Sequence, residues 1–237
     1  MDPDLSPLPE NWDRAIAVVA HPDDMEYGAA SAVARWTSQG KDVRYVLVTR
    51  GEAGIDSMPP PEARAVRTKE QIRSAAAVGV SEVEFLDHPD GLVVNGIDLR
   101  RDLAGAIRRH RPDVIIGSNY RERWSETGPW NHVDHREVGR ALPDAVRDAA
   151  NRWLFTDQGE PWSGVRWMAF GSSTHPTHAV DVTDHVEAGV ASLRLHAAYL
   201  AGLGDDEDPD ARLRGAAASA GPRLGVELAV TFELVPA

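Results

Sequence analysis

Short apolar runs alternate with amphipathic stretches along the chain, and that order predicts a layered α/β fold. Residues 15–20 (AIAVVA) are small or β-branched throughout, the signature of a short strand buried on both faces. Residues 43–49 (VRYVLVT), 83–86 and 113–117 (DVIIG) repeat it. Between them lie helical stretches at 28–39, stopped by Gly40, and at 62–78, opened by a proline break and stopped by Gly79. Leu99, Leu103 and Ile107 recur every four residues in a third, and a fourth is expected over 133–151. Strand and helix in repetition imply a Rossmann-like, doubly wound, mainly parallel sheet with helices on both faces.

The later pattern is less regular. Residues 152–155, 165–170 and 179–182 read as short strands, and 184–200 as one helix. An acidic, proline-containing loop is expected at 205–210, with a mobile small-residue stretch at 215–221. From Val226 to Leu234 apolar and other residues alternate, the period of a half-exposed antiparallel strand covering a sheet edge. One domain spanning 1–237 is expected, its core at about 15–200, with the loop and edge strand in 201–237.

Composition narrows the function classes. The formal charge of −12, from 37 acids against 25 bases, argues against nucleic acid and anionic lipid as partners. No window of about eighteen apolar residues occurs, and the first residues, MDPDLSPLPENWDR, lack the basic-then-apolar order of a signal peptide. No stable membrane association is expected, and the cytoplasm is the simplest address. The chain has no cysteine, so any bound metal must be held by nitrogen and oxygen. A dinucleotide fold would need GxGxxG after the first strand, a phosphate loop GxxxxGK[ST] and a serine hydrolase GxSxG. None of the three is present.

The chemistry concentrates at two places. The first strand ends in His21-Pro22-Asp23-Asp24-Met25-Glu26, and ligands of open α/β sheets bind at such carboxyl ends. An imidazole crowded by three acids calls for a cation, and His21 and Asp24 are donors that suit zinc. The alternative is that Asp23 and Asp24 cap the following helix. Asn131-His132-Val133-Asp134-His135 follows the fourth strand and brings an HxxH pair with an acid inside it to the same edge. Its alternative is a pair of surface histidines at a helix start.

Taken together, the two clusters resemble the PIG-L/LmbE-like family of zinc-dependent de-N-acetylases, whose pattern is HPDDxE followed by HPDH or a close variant. Residues 49–54, 64–70, Leu86, 89–91 and 178–182 also resemble that family's segments, so the likeness runs from about 15 to 200. Val133 replaces the family's proline, and Trp130 stands where some members place a tyrosine.

The resemblance implies metal-assisted amide hydrolysis with His21, Asp24 and His135 as ligands of Zn2+, Fe2+ suiting the same donors. It makes Asp23 the general base and a protonated His132 the oxyanion stabiliser, oriented and charged by Asp134. Glu26 is expected to bond a ligand or the helix start. Arg67 and Asp90, with Glu52, would hold substrate hydroxyls. Trp130 and Trp124 would stack on a sugar or simply pack, and His178 would line the pocket. The implied substrate is a small amide, an N-acetylglucosamine-type conjugate or an acylated metabolite, with secondary-metabolite tailoring as one setting. The alternative is a non-catalytic, degenerate member acting as a small-molecule binding or accessory protein.

Overall fold

The computed structural model describes residues 4–203 and 208–237. In chain order the elements are β1 (Ser6–Pro7), β2 (Arg14–Val19), α1 (Asp24–Gly28), α2 (Ala30–Ser38), β3 (Asp42–Leu47), α3 (Pro60–Ala77), β4 (Val83–Phe85), α4 (Ile97–His110), β5 (Val114–Ser118) and α5 (Val133–Ala150). There follow β6 (Trp167–Gly171), β7 (His178–Asp181), α6 (Val186–Arg194), α7 (Ala197–Gly202), α8 (Pro209–Leu224) and β8 (Ala229–Pro236). The eight strands form one sheet in the order β1-β7-β8-β6-β5-β2-β3-β4. Every neighbouring pair is parallel except those of β8, which runs antiparallel to both β6 and β7.

Alternation along the strands divides the apolar residues between two layers. Ala15, Ala17 and Val19 pack with Trp36 of α2, Ala75 of α3, Val186 of α6 and Ala217 of α8. Ile16, Val18 and Ala20 pack on the opposite face with Leu99, Leu103 and Ile107 of α4 and Val138, Leu142 and Ala145 of α5. With β3 and β5 flanking β2 on either side, the carboxyl end of β2 opens at the centre of the sheet. This is where the chain order reverses and a ligand crevice forms.

Five expectations are corrected. The helix of 28–39 is α2 and starts only at Ala30, because Ala29, at φ −146°, separates it from a short α1 over Asp24–Gly28. The helix of 184–200 is two, because the chain turns at Leu195 and His196 to bury the His196 ring against Glu26 at 3.5 Å.

Residues 152–155 form turns rather than a strand. The guanidinium of buried Arg108 donates to the carbonyls of Asp148, Ala149, Asn151, Leu154 and Phe155 at 2.6–3.1 Å, and Phe155 is left-handed at φ 47°. Carbonyls gathered on one cation cannot line up in a ladder. Arg108→Met would leave them without their donor. It is expected to lower the unfolding free energy by about 3 kcal/mol or more, read as the urea midpoint. An unchanged midpoint would refute this clamp.

The stretch 215–221 is not a mobile loop but part of α8, which Asp208 caps by accepting from Asp210 N at 3.0 Å. Small residues there serve contact: a Cβ on Gly221 would meet Glu227 O at 2.2 Å. Of the acidic loop placed at 205–210, residues 204–207 lie outside the described residues.

Lastly, β8 is an interior strand, not an edge. Its polar position Glu233 is buried, paired with Arg121 and accepting from Ser173 Oγ at 2.5 Å, so alternation there marks two covered faces. The edge belongs to β1, which pairs with β7.

Candidate metal centre

The first chemical cluster sits at the tip of β2, and the second at the N-terminus of α5, reached by a loop from the tip of the adjacent β5. Beyond Val19 the chain turns through Pro22 into Asp23, which is left-handed at φ 84° and makes no side-chain cap bond to α1. The capping alternative therefore fails for Asp23. Asp24 turns back instead: its Oδ2 accepts from Ala20 N at 3.0 Å and His21 N at 2.9 Å, leaving Oδ1 to face His135 Nε2 at 2.9 Å. His21 Nδ1 lies 3.1 Å from the same nitrogen. One donor atom from each of His21, Asp24 and His135 thus lies within 4.8 Å of the others.

The far sides of both rings are already engaged. His21 Nε2 stands 3.0 Å from Asp134 Oδ2 and 3.0 Å from Asp90 Oδ1, and His135 Nδ1 stands 3.0 Å from Asn131 Oδ1. Facing acceptors, those nitrogens keep the protons, and the lone pairs of His21 Nδ1 and His135 Nε2 point at each other beside a carboxylate. Two lone pairs and an anion aimed at one place fit a divalent metal.

Charges agree with that reading. Burial alone would push His21 down, but hydrogen bonds to Asp134 and Asp90 outweigh it and raise it to about 10. Burial likewise opposes ionisation of Asp24, and the charge and hydrogen bond of His135 prevail, holding it well below the ordinary carboxylate range. The acids therefore hold a cation here, a proton on His21 or the metal that displaces it. Asp23 behaves oppositely. Burial raises it to about 6 against the pull of Arg67, with Asp24 adding to the rise.

Several expected roles are rearranged. The Asp134 carboxylate does not hydrogen-bond His132, though its charge favours the protonated ring: it accepts from His21, from Gly91 N at 2.7 Å and from Val93 N at 3.1 Å. Only its backbone N–H touches His132, donating to Nδ1 at 3.2 Å. Burial and the charge of His21 push His132 downward against the pull of Asp134 and Asp90, and with Nδ1 accepting from Asp134 N the ring carries an N–H at Nε2. Arg67 is buried: Nη1 donates to Gly51 O at 2.9 Å and Nη2 to Pro22 O at 2.7 Å and Asp23 Oδ2 at 2.9 Å, while Nε has no hydrogen-bond partner and the guanidinium lies over the Tyr199 ring. Its side chain is engaged by Asp23 and two backbone carbonyls. Asp90 is likewise bound to His21 and to Ala53 N, and Glu52 accepts from Arg50 N and Asp90 N. Glu26, in the first turn of α1, bonds its own backbone N–H there and otherwise accepts from Ser74 Oγ at 2.5 Å and Gln71 Nε2 at 3.1 Å.

At the rim Trp130 is 59% exposed, with Arg123 and Arg136 over its ring. Trp124 meets the His135 ring edge-on at 5.0 Å. His178 does not reach the centre: it opens β7, four strand positions from β2, or about 19 Å across the sheet. The sequence reading missed Asn131, whose one side chain accepts from His135 and His132 N and donates to Asn119 O and Arg121 O. Its place four residues before His135 was the available signal. Asn131→Ala is expected to weaken metal binding about 10- to 100-fold, measured by competition with a chelating dye. Wild-type affinity would sink that assignment.

Fold and site together define a Rossmann-like α/β protein with a His/His/Asp group placed to hold a metal ion. The chain belongs to the PIG-L family: the family model described as GlcNAc-PI de-N-acetylase matches residues 16–146. A diacetylchitobiose deacetylase of Thermococcus kodakarensis is 27% identical over 193 residues, covering 77% of this chain and 68% of that protein. A 1D-myo-inositol 2-acetamido-2-deoxy-alpha-D-glucopyranoside deacetylase of Kineococcus radiotolerans is 40% identical over 253 residues, covering 78% of this chain and 68% of its own. Among solved structures, the N,N'-diacetylchitobiose deacetylase of Pyrococcus horikoshii superposes with a TM-score of 0.84 at 24% identity, over 96% of this chain and 85% of that one. At that identity the likeness shows the fold.

Proposed function

We propose that the chain is a metal-dependent amide hydrolase that removes the acetyl group from an N-acetylglucosamine-type sugar conjugate or a related acylated small metabolite. The observation that carries this is the meeting of His21 Nδ1, Asp24 Oδ1 and His135 Nε2 beside a buried Asp23 raised toward neutrality. Structural ion pairs have no use for an acid held that way. The sugar-acting deacetylases among its relatives support the substrate class.

His21, Asp24 and His135 would hold the metal, zinc by preference, with iron(II) suited to the same donors. When bound, such an ion supplies positive charge that polarises the amide carbonyl and the attacking water. Asp23 accepts the proton of that water as it adds to the carbonyl carbon, and returns it to the amine nitrogen as the C–N bond breaks. The Nε2–H of His132 donates to the carbonyl oxygen as it becomes an oxyanion. Asp134 and Asp90 keep His21 in the orientation that turns Nδ1 inward. Trp130, exposed at the rim, stacks on the sugar ring. Trp130→Ala is expected to raise KM about three- to tenfold with little change in kcat, and an unchanged KM would remove Trp130 from substrate binding.

The deciding experiment combines metal analysis with acetate release from N-acetylglucosamine, diacetylchitobiose and an N-acetylglucosaminyl-inositol, with and without a chelator. Metal-dependent acetate release from any of them supports the proposal. Bound metal without turnover would turn the reading toward a binding module, and no metal after reconstitution would end it.

A further inference from the structure

We infer that Gln71 is a positioning residue, holding the Asp23 backbone in the left-handed conformation that presents its carboxylate to the metal centre, with its own amide locked by Glu26. This rests on the reading of Asp23 as the general base. Asp23, at φ 84° and ψ −19°, sits where residues other than glycine are uncommon, and surrounding bonds must fix it there. Asp23 N donates to Gln71 Oε1 at 3.0 Å. Arg67 Nη2 bonds the preceding carbonyl of Pro22 and the Asp23 carboxylate, while the Asp23 carbonyl accepts from Tyr27 N at 3.0 Å. The peptide and the carboxylate are thus held from two residues four apart on α3, hence on one helical face.

Gln71 is buried, and its orientation admits one assignment. The Asp23 N–H can only donate and the Glu26 carboxylate only accept, so Oε1 must face Asp23 and Nε2 must face Glu26. Glu26 is fixed in turn by Ser74 Oγ, which also lies 2.8 Å from Ser192 Oγ, and by His196. Arg67, Glu70, Gln71 and Ser74 make the inner stripe of α3 polar and all four are buried, where a helix ordinarily packs apolar side chains. Apolar packing would anchor the helix without desolvating those groups. The polar stripe does what apolar packing cannot: it directs a hydrogen bond to one peptide, that of Asp23.

The test uses Gln71→Leu, Gln71→Glu and the exchange Glu26→Gln with Gln71→Glu, which reverses donor and acceptor across the same bond. For Gln71→Leu, a crystal structure is expected to show Asp23 out of the left-handed region or its carboxylate away from Arg67. The kcat is expected to fall about 10- to 100-fold, with KM and metal content unchanged. Gln71→Glu sets two carboxylates against each other and is expected to be as impaired, and the exchange to recover most of the loss. An unmoved Asp23 in the Gln71→Leu structure overturns the inference, as does a wild-type kcat in that variant. Should Gln71→Leu fail to fold, an exchange no better than Gln71→Glu alone does the same. If the wild type releases no acetate from any substrate, the deacetylase reading fails, while the crystal geometry of the variant still decides the role of Gln71.

Discussion

Asparagine in place of Asp23 is expected to lower kcat about 100- to 10,000-fold and to leave metal content unchanged. Asparagine is nearly isosteric and tolerates the left-handed conformation, so φ 84° survives the change. What is lost is the ability to accept a proton. The Asp23 carboxylate touches Arg67 and none of the donor atoms grouped as metal-binding, which is why metal should remain. Single-turnover acetate release alongside elemental analysis separates these effects, and a variant with metal and near-normal kcat would remove Asp23 from the chemistry.

The same residue sets the pH dependence. Its acid is raised to about 6 by burial, against Arg67, and only the ionised form accepts a proton. Activity is therefore expected to fall as pH drops through the Asp23 pKa, and a bound cation nearby moves that limb to lower pH, never higher. In Asp23→Asn the residual rate should lose this limb.

Alanine in place of Asp24 has the other large effect. It deletes a metal donor and leaves Ala20 N and His21 N without the oxygen they share. Since outer contacts alone are worth about 10- to 100-fold in metal affinity, loss of a direct donor is expected to exceed that range and abolish turnover. Titration with metal against a competing chelator measures it, and wild-type affinity in Asp24→Ala would refute the ligand set. In the metal-free wild type Asp24 also stabilises the fold through His135 and His21. Its folded pKa lies below the unfolded one, so that contribution is complete above the ordinary carboxylate pKa and is lost as pH falls toward the depressed value. Acid unfolding of the metal-free protein should therefore begin at higher pH in Asp24→Ala.

The sequence announced the metal centre more fully than its surroundings. His21, Asp24 and His135 are legible because a strand tip fixes where a short polar cluster must sit, and two such clusters on strands of one parallel sheet must meet. Arg67 and Asp90 were legible as charged residues near the site, yet their partners were not. Whether a guanidinium faces solvent or the carbonyls of Gly51 and Pro22 depends on how α3 lies across the β2 tip, a tertiary fact. Gln71 carries no charge and no unusual spacing, so nothing sets it apart, and Asn131 offers only its place four residues before His135. The Ala- and Gly-rich α8 was read as a loop since small residues suit both, and only close approach to residues 226–227 tells them apart. In β8, alternation was taken for exposure, although Glu233 alternates into an ion pair with Arg121.

The insertion of β8 between β6 and β7 divides the sheet between two stretches of the chain. The candidate donors His21, Asp24 and His135, and Arg67 and Gln71 beside Asp23, belong to the chain up to α5, whose strands β2 to β5 pair without β8. The β1–β7 edge, by contrast, reaches the rest of the sheet only through β8. His196 and Tyr199, which brace Glu26 and Arg67 from behind, come instead from the stretch beyond β7, so the residues that hold Asp23 in place are supported from both parts of the chain.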